Sequence, residues 1–268
     1  MTANVLIKKQ AKEYLQGSWA AFAAAFFVML VPLALANVIE TVMVFFDLDG
    51  LASAELSQRV ADEPYIAAVA AAVALVILLV FVFSLPLTSG FFRMAAAVAN
   101  GKTAQCSDLF YYYEKGRFVG TLGFNLSLAL RRILWTLLSF VPAAICVCVY
   151  STGVLGSYSW VLAIPGVILM TLGIVLSVVL NSRYFPAQYL YVTADEESRQ
   201  AKDFITLSVA IMKGNKKRYL SLLLSFLPWL ALTFFILPGL YTVPYMAVSF
   251  ADSAKWICGS TAEWRVES

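Results

Sequence analysis

A chain of 268 residues with 61% hydrophobic and 13% charged side chains, and a mean hydropathy of +0.81, is too apolar for a water-soluble domain. Such domains run at about half apolar and about a quarter charged. The net charge of +3 is too small to build a nucleic-acid surface, and the lack of histidine removes the commonest general base and metal ligand.

The first 18 residues are polar and basic and lack the short apolar core of a cleavable leader. The apolar run that follows is too long for such a leader, so it is expected to stay as a membrane anchor. An apolar stretch of about 20 residues crosses ~30 Å of hydrocarbon as a helix. Six segments meet or approach this length, at 20–46, 66–89, 133–150, 160–180, 220–237 and 240–256. The expected fold class is therefore all-α, a polytopic transmembrane helical bundle of about six spans, with residues 1–268 as a single integral membrane domain. Only Pro238 and Gly239 separate the last two segments, so two short spans compete there with a re-entrant pair. Two spans are the expectation.

Each segment carries one proline: Pro32, Pro86, Pro142, Pro165, Pro228 and Pro244. Inside a helix a proline removes a backbone donor and frees a carbonyl, so kinked helices are expected. Ionisable residues within the segments are few and costly, which makes Glu40, with Asn37 and Thr41 beside it, the candidate intramembrane polar site. Asp252 and Lys255, three apart, are expected to pair with each other.

Between the first two segments lies an acidic stretch in which Leu51, Ala54 and Leu56 predict a short surface helix. Its Asp47-Leu48-Asp49-Gly50 run lacks the further ligands of a calcium loop, so no metal is expected. Between the second and third, 118–130 is apolar but flanked by Arg117, Arg131 and Arg132, which predicts an interfacial helix. Between the fourth and fifth, the spacing of Phe204, Leu207, Ile211 and Met212 predicts an amphipathic cytoplasmic helix over about 196–213, capped by Asp195 and leading to Lys216, Lys217 and Arg218. Phe204, Leu207, Ile211, Lys216, Lys217 and Arg218 form the candidate surface for a protein partner or for lipid headgroups.

Of the 19 Lys and Arg residues, only Arg59 falls on the side opposite the termini. Positive residues stay in the cytoplasm, so both termini are expected there, with the chain in the cell membrane. The cysteines at 106, 146, 148 and 258 are scattered and read as free thiols.

The run from Ser208 to Lys216, Met212-Lys213-Gly214-Asn215 within it, then Leu224-Ser225-Phe226 closed by Trp229, then Pro244-Tyr245, resembles a bacterial membrane-protein family, domain of unknown function 975. Lys8-Lys9-Gln10-Ala11-Lys12, Leu15-Gln16-Gly17-Ser18-Trp19 and Ile164-Pro165-Gly166 are similar to its opening and central motifs. The resemblance implies a membrane topology and supplies no catalytic residues or cofactor. Three functions are weighed on the residues alone. The first is a non-enzymatic accessory, assembly or lipid-handling component, with lipid and a cytoplasmic or membrane protein as partners. The second is a permease subunit working with a separate ATPase, since the chain has no phosphate-binding loop. The third is a lipid enzyme using the acidic residues at 47, 49 and 195–197.

Overall fold

The structure, a computed structural model, describes residues 3–45, 64–114, 116–151, 163–195, 203–233 and 235–266. The expected surface helix at 51–56, the Asp47–Gly50 run and residues 196–202 lie outside the described residues. All regular structure described is helical. The helices are α1 (Ala3–Tyr14), α2 (Trp19–Phe45), α3 (Pro64–Ala99), α4 (Ser107–Phe110), α5 (Phe118–Ser151), α6 (Ala163–Asn181), α7 (Ala187–Thr193), α8 (Phe204–Ile211), α9 (Lys216–Ser225), α10 (Leu227–Leu232) and α11 (Ile236–Val266). Single 3-10 turns follow α4 at Tyr111–Tyr113 and α6 at Ser182–Tyr184.

Four stretches are long and apolar enough to cross a membrane: Trp19–Phe45, Ala67–Ala99, Phe118–Ser151 and Ile164–Thr193. They form two pairs, α2 against α3 and α5 against α6. Helix α3 is the hub, meeting α2, α4, α5, α7 and α11, whereas α6 packs mainly on α5. The two pairs are joined through α3 and α5.

The largest cluster of buried residues gathers around Phe22, Phe91, Met94, Tyr112, Phe226 and Val248, at the end where α1, α4 and α7–α11 converge. The far ends expose large apolar side chains, among them Leu33, Val44, Leu75, Leu79, Val147 and Ile168. A helix that is apolar all round and unpacked in water is suited to lipid.

Close packing at the joined end depends on Gly90. A Cβ there would lie 2.0 Å from the backbone oxygen of Leu109, so only glycine lets α4 sit against α3. Two lysines finish helices at this end. Lys8 donates to the Ser225 carbonyl at 2.7 Å, at the end of α9, and Lys255 donates to the Ala99 carbonyl at 2.9 Å, at the end of α3. Each puts a cation where free carbonyls and the helix dipole favour one. The expected Asp252–Lys255 pairing is not a direct ion pair among the described residues: Lys255 is drawn to the last carbonyl of α3 and acts on Asp252 through its charge alone.

The layout departs from the expected one in three further places. The stretch at 118–130 is no separate interfacial helix, because it continues without a break into the third apolar segment as the 34-residue α5. The proline expectation holds for position only in part. Pro32, Pro86, Pro142 and Pro244 lie inside helices, but Pro165 and Pro228 fall in the first turns of α6 and α10, where the missing N–H costs nothing. Over the described part of the predicted amphipathic stretch, α8 starts at Phe204 and is capped by Asp203, which accepts from the Ile205 and Thr206 amides at 3.0 and 3.1 Å; the part that Asp195 was expected to cap lies outside the described residues.

The fifth segment is broken at Phe226 into α9 and α10, and its turn into α11 lies close to the base of α2. Tyr241 stacks on Trp19 at 5.0 Å, and a Cβ on Gly239 would lie 3.2 Å from the Phe26 ring. Phe26 is about 10 Å along α2 from Trp19, at 1.5 Å per residue.

Candidate functional site

Helix α5 turns a polar and small face inward. Thr121, Asn125, Ser139 and Ala143 are buried on it together with Leu128, while Leu130, Leu134, Leu137 and Ile145 on other faces are exposed. The inward face does two jobs along its length.

Near its start it builds a buried polar junction. Asn125 donates to the Ser89 hydroxyl of α3 at 2.7 Å and to its own helix at the Thr121 carbonyl. Gln188 of α7 donates to the same Ser89 hydroxyl at 2.8 Å and reaches the Asn125 carbonyl oxygen at 3.4 Å. One turn away the Thr121 and Tyr191 hydroxyls share a hydrogen bond of 2.9 Å. Ser89, Thr121, Asn125 and Gln188 are all at most 6% exposed. Polar groups at that burial are costly without partners, so this junction ties α3, α5 and α7 into one arrangement. Phe124 stacked on Tyr191 at 4.1 Å, and Phe204 set edge-on to Tyr191, complete its apolar rim.

Further along, α5 meets α6 through small and polar side chains. Gly173, Ser177 and Asn181 recur every fourth residue on α6 and so share one face. The Gly173 backbone comes against Phe140 and Ser139, the Ser177 and Thr136 hydroxyls lie 3.2 Å apart, and Asn181 donates to Thr136 at 3.0 Å. The amide oxygen of Asn181 is buried with no partner.

Where the α5–α6 pair diverges from the C-terminal helices a recess of about 540 Å³ remains. One wall carries Arg132, Thr136, Ser177 and Asn181; the other carries Phe92, Leu223, Leu230, Met246, Phe250 and Ala251. Gln188 of the buried junction forms part of its floor, between Phe185 and Tyr189. Arg132 touches the Tyr184 carbonyl at 3.3 Å and forms no ion pair among the described residues. No carboxylate lines the recess among the described residues. A cation is therefore presented, with no carboxylate paired to it among them, beside an apolar wall. The neighbouring Arg183 is engaged otherwise, lying over the Trp135 ring at 4.6 Å, while Trp135 donates to the Tyr184 hydroxyl at 2.9 Å.

The residues singled out from sequence sit elsewhere. Asn37, Glu40 and Thr41 occupy exposed positions on α2, and Asn37 and Thr41 hydrogen-bond carbonyls of their own helix, at Leu33 and Asn37. None of the three lines the recess. The candidate surface on α8 is corrected in part. Phe204 and Ile211 are buried, at 5% and 8% exposure, against Tyr191 and against Met212 with Ile257, because the apolar face of α8 is consumed by the molecule's own core. The Ser208 hydroxyl pins that helix to the Arg183 carbonyl at 2.8 Å. Leu207 is partly exposed, Lys217 is exposed, Lys216 is partly so, and Arg218 lies over the Trp256 ring.

In the sequence Arg132 is marked only as a basic flank of 118–130, and nothing local sets Ser89, Asn125 or Gln188 apart. A signal was present. Polar and small residues recur at helical spacing along 121–143 and 173–181 within otherwise apolar runs, the pattern by which membrane helices recognise one another.

Two apolar helix pairs rising from a common buried base, with polar side chains held between helices, define an all-helical protein of the polytopic membrane class. The chain belongs to the family described as Protein of unknown function (DUF975), whose model matches residues 1–251. The likeness noted in its C-terminal motifs thus extends over nearly the whole chain. No curated protein and no solved structure matches it.

Proposed function

We propose that this chain is a non-enzymatic, lipid-handling component of the cell membrane, with both termini in the cytoplasm. The observation that carries the lipid role is the recess at the fork of α5–α6 and the C-terminal helices, polar on one wall and apolar on the other. Its volume of about 540 Å³ is within the range of about 300–1,000 Å³ usual for ligand pockets. Because α5 and α6 expose apolar side chains on either side of the fork, an amphiphile could enter from the bilayer without crossing water.

The same reading takes α2, α3, α5 and α6 as full crossings. The six crossings expected from hydropathy give way to four plus a hairpin, α9–α10 with α11, that enters from the cytoplasmic side and turns back. What supports this is the contact of the hairpin's turn with Phe26, which leaves the remaining 19 residues of α2 beyond it. Either count is even and keeps the termini on one side, in line with the 18 cations assigned there.

The test of the lipid role is retention. The full chain, extracted with mild detergent and examined by native mass spectrometry, is expected to keep about one lipid per chain. Ser177→Leu, which fills the recess without altering charge, should abolish that retention. Retention equal in the two proteins would sink the proposal.

A further inference from the structure

We infer that the recess selects an amphiphile with an anionic headgroup, and that the Arg132 guanidinium is the group that recognises it. The inference rests on the lipid-handling reading and adds the chemistry of the ligand.

Among the described residues Arg132 supplies the only formal charge on the lining, and it faces a space that no carboxylate among them lines. A guanidinium offers five donors in a rigid fork, of which the Tyr184 carbonyl engages one at 3.3 Å. The remaining donors are matched by oxygens that carry negative charge, phosphate above all, in the paired geometry that arginine favours. Around it stand the uncharged Thr136 and Ser177 hydroxyls and the Asn181 amide, whose buried oxygen has no hydrogen-bond partner among the described residues. The opposite wall of Phe92, Leu223, Leu230, Met246 and Phe250 offers nothing to a free ion but covers a hydrocarbon chain.

Position agrees with this chemistry. Arg132 stands at the start of the apolar stretch 133–150, beside Arg131 and close to Arg183, where the cytoplasmic leaflet carries its phosphates. Arg131 provides the internal control, since it has the same charge, one residue away, and does not line the recess.

The experiment compares phosphatidylglycerol with phosphatidylcholine as probes, added to the delipidated full chain in detergent and read as bound fraction by native mass spectrometry. The wild-type chain is expected to prefer the anionic lipid by about tenfold or more, the equivalent of one charge-assisted hydrogen-bonding group. Arg132→Gln should remove the preference while still binding phosphatidylcholine, and Arg131→Gln should leave it intact. Thermal unfolding of the Arg132→Gln protein verifies that it is folded, and Arg132→Lys, which keeps the charge, should restore part of the preference. Equal binding of both lipids by the wild type, or equal losses from the two arginine variants, overturns the headgroup assignment and leaves the lipid-handling reading standing. Failure to bind either lipid overturns both. Inorganic phosphate at millimolar concentration is expected not to displace phosphatidylglycerol; displacement would assign the site to a soluble anion and overturn the lipid as its source.

Discussion

Asp203 shows how one side chain sets a boundary. Its carboxylate accepts from the Thr206 hydroxyl at 2.6 Å and from the Ile205 and Thr206 amides, and these bonds, the hydroxyl first, hold its pKa below the usual value of 3.8. A carboxyl with a lowered folded-state pKa adds stability above its unfolded value, and that stability is lost as the pH falls through the folded value. Amide exchange at Ile205 and Thr206 should therefore quicken below about pH 4, beyond the intrinsic trend. Asp203→Ala should show fast exchange at every pH and lose about 1 kcal/mol of helix stability. Gly90 is the second position where one atom decides packing. Gly90→Ala sets a methyl group against the Leu109 carbonyl, and forcing α4 away should cost about 1–3 kcal/mol, seen as a lowered thermal midpoint in detergent. An unchanged midpoint would mean that α4 can move aside freely. Sequence spacing identified the amphipathic run around Phe204, but not the cap that Asp203 supplies to it, because an aspartate within the run's polar approach carries no mark of where the helix starts.

At the scale of elements, the decisive features are polar contacts between helices that are otherwise apolar. Ser89, Asn125 and Gln188 come from α3, α5 and α7 and share hydrogen bonds in one buried cluster. Asn125→Leu and Gln188→Leu should each destabilise the chain by about 1 kcal/mol, since each strips a partner from a buried group. Because they share Ser89, the double variant should cost less than the sum, which thermal or denaturant unfolding of the three proteins would reveal. Simple additivity would mean the junction is two unrelated bonds. Hydropathy located the helices but could not find this junction, as its members lie 36 and 63 residues apart in sequence. The α8 face was misjudged for a related reason. An apolar stripe states that something covers it, and here the cover is the chain's own Tyr191 and Ile257.

The whole molecule combines two membrane hairpins with a buried base and a C-terminal pair whose turn meets α2 near Phe26. Single cysteines in a background with residues 106, 146, 148 and 258 replaced by serine test this layout. Cysteines at Ser53 and Ser157 should react with an impermeant reagent from outside the cell, and those at Ser198 and Leu237 should not. Outside labelling at Leu237 would restore six crossings, and outside labelling at Ser198 would reverse the orientation. Composition and apolar run length by themselves marked this as a helical membrane chain, because transfer into hydrocarbon is a local property summed along each segment. The contact of Gly239 with Phe26, the merging of 118–151 into one helix, and the meeting of Arg132 with an apolar wall were decided only by tertiary packing. Each depends on contacts between residues far apart in the chain, which no local sum of hydropathy contains.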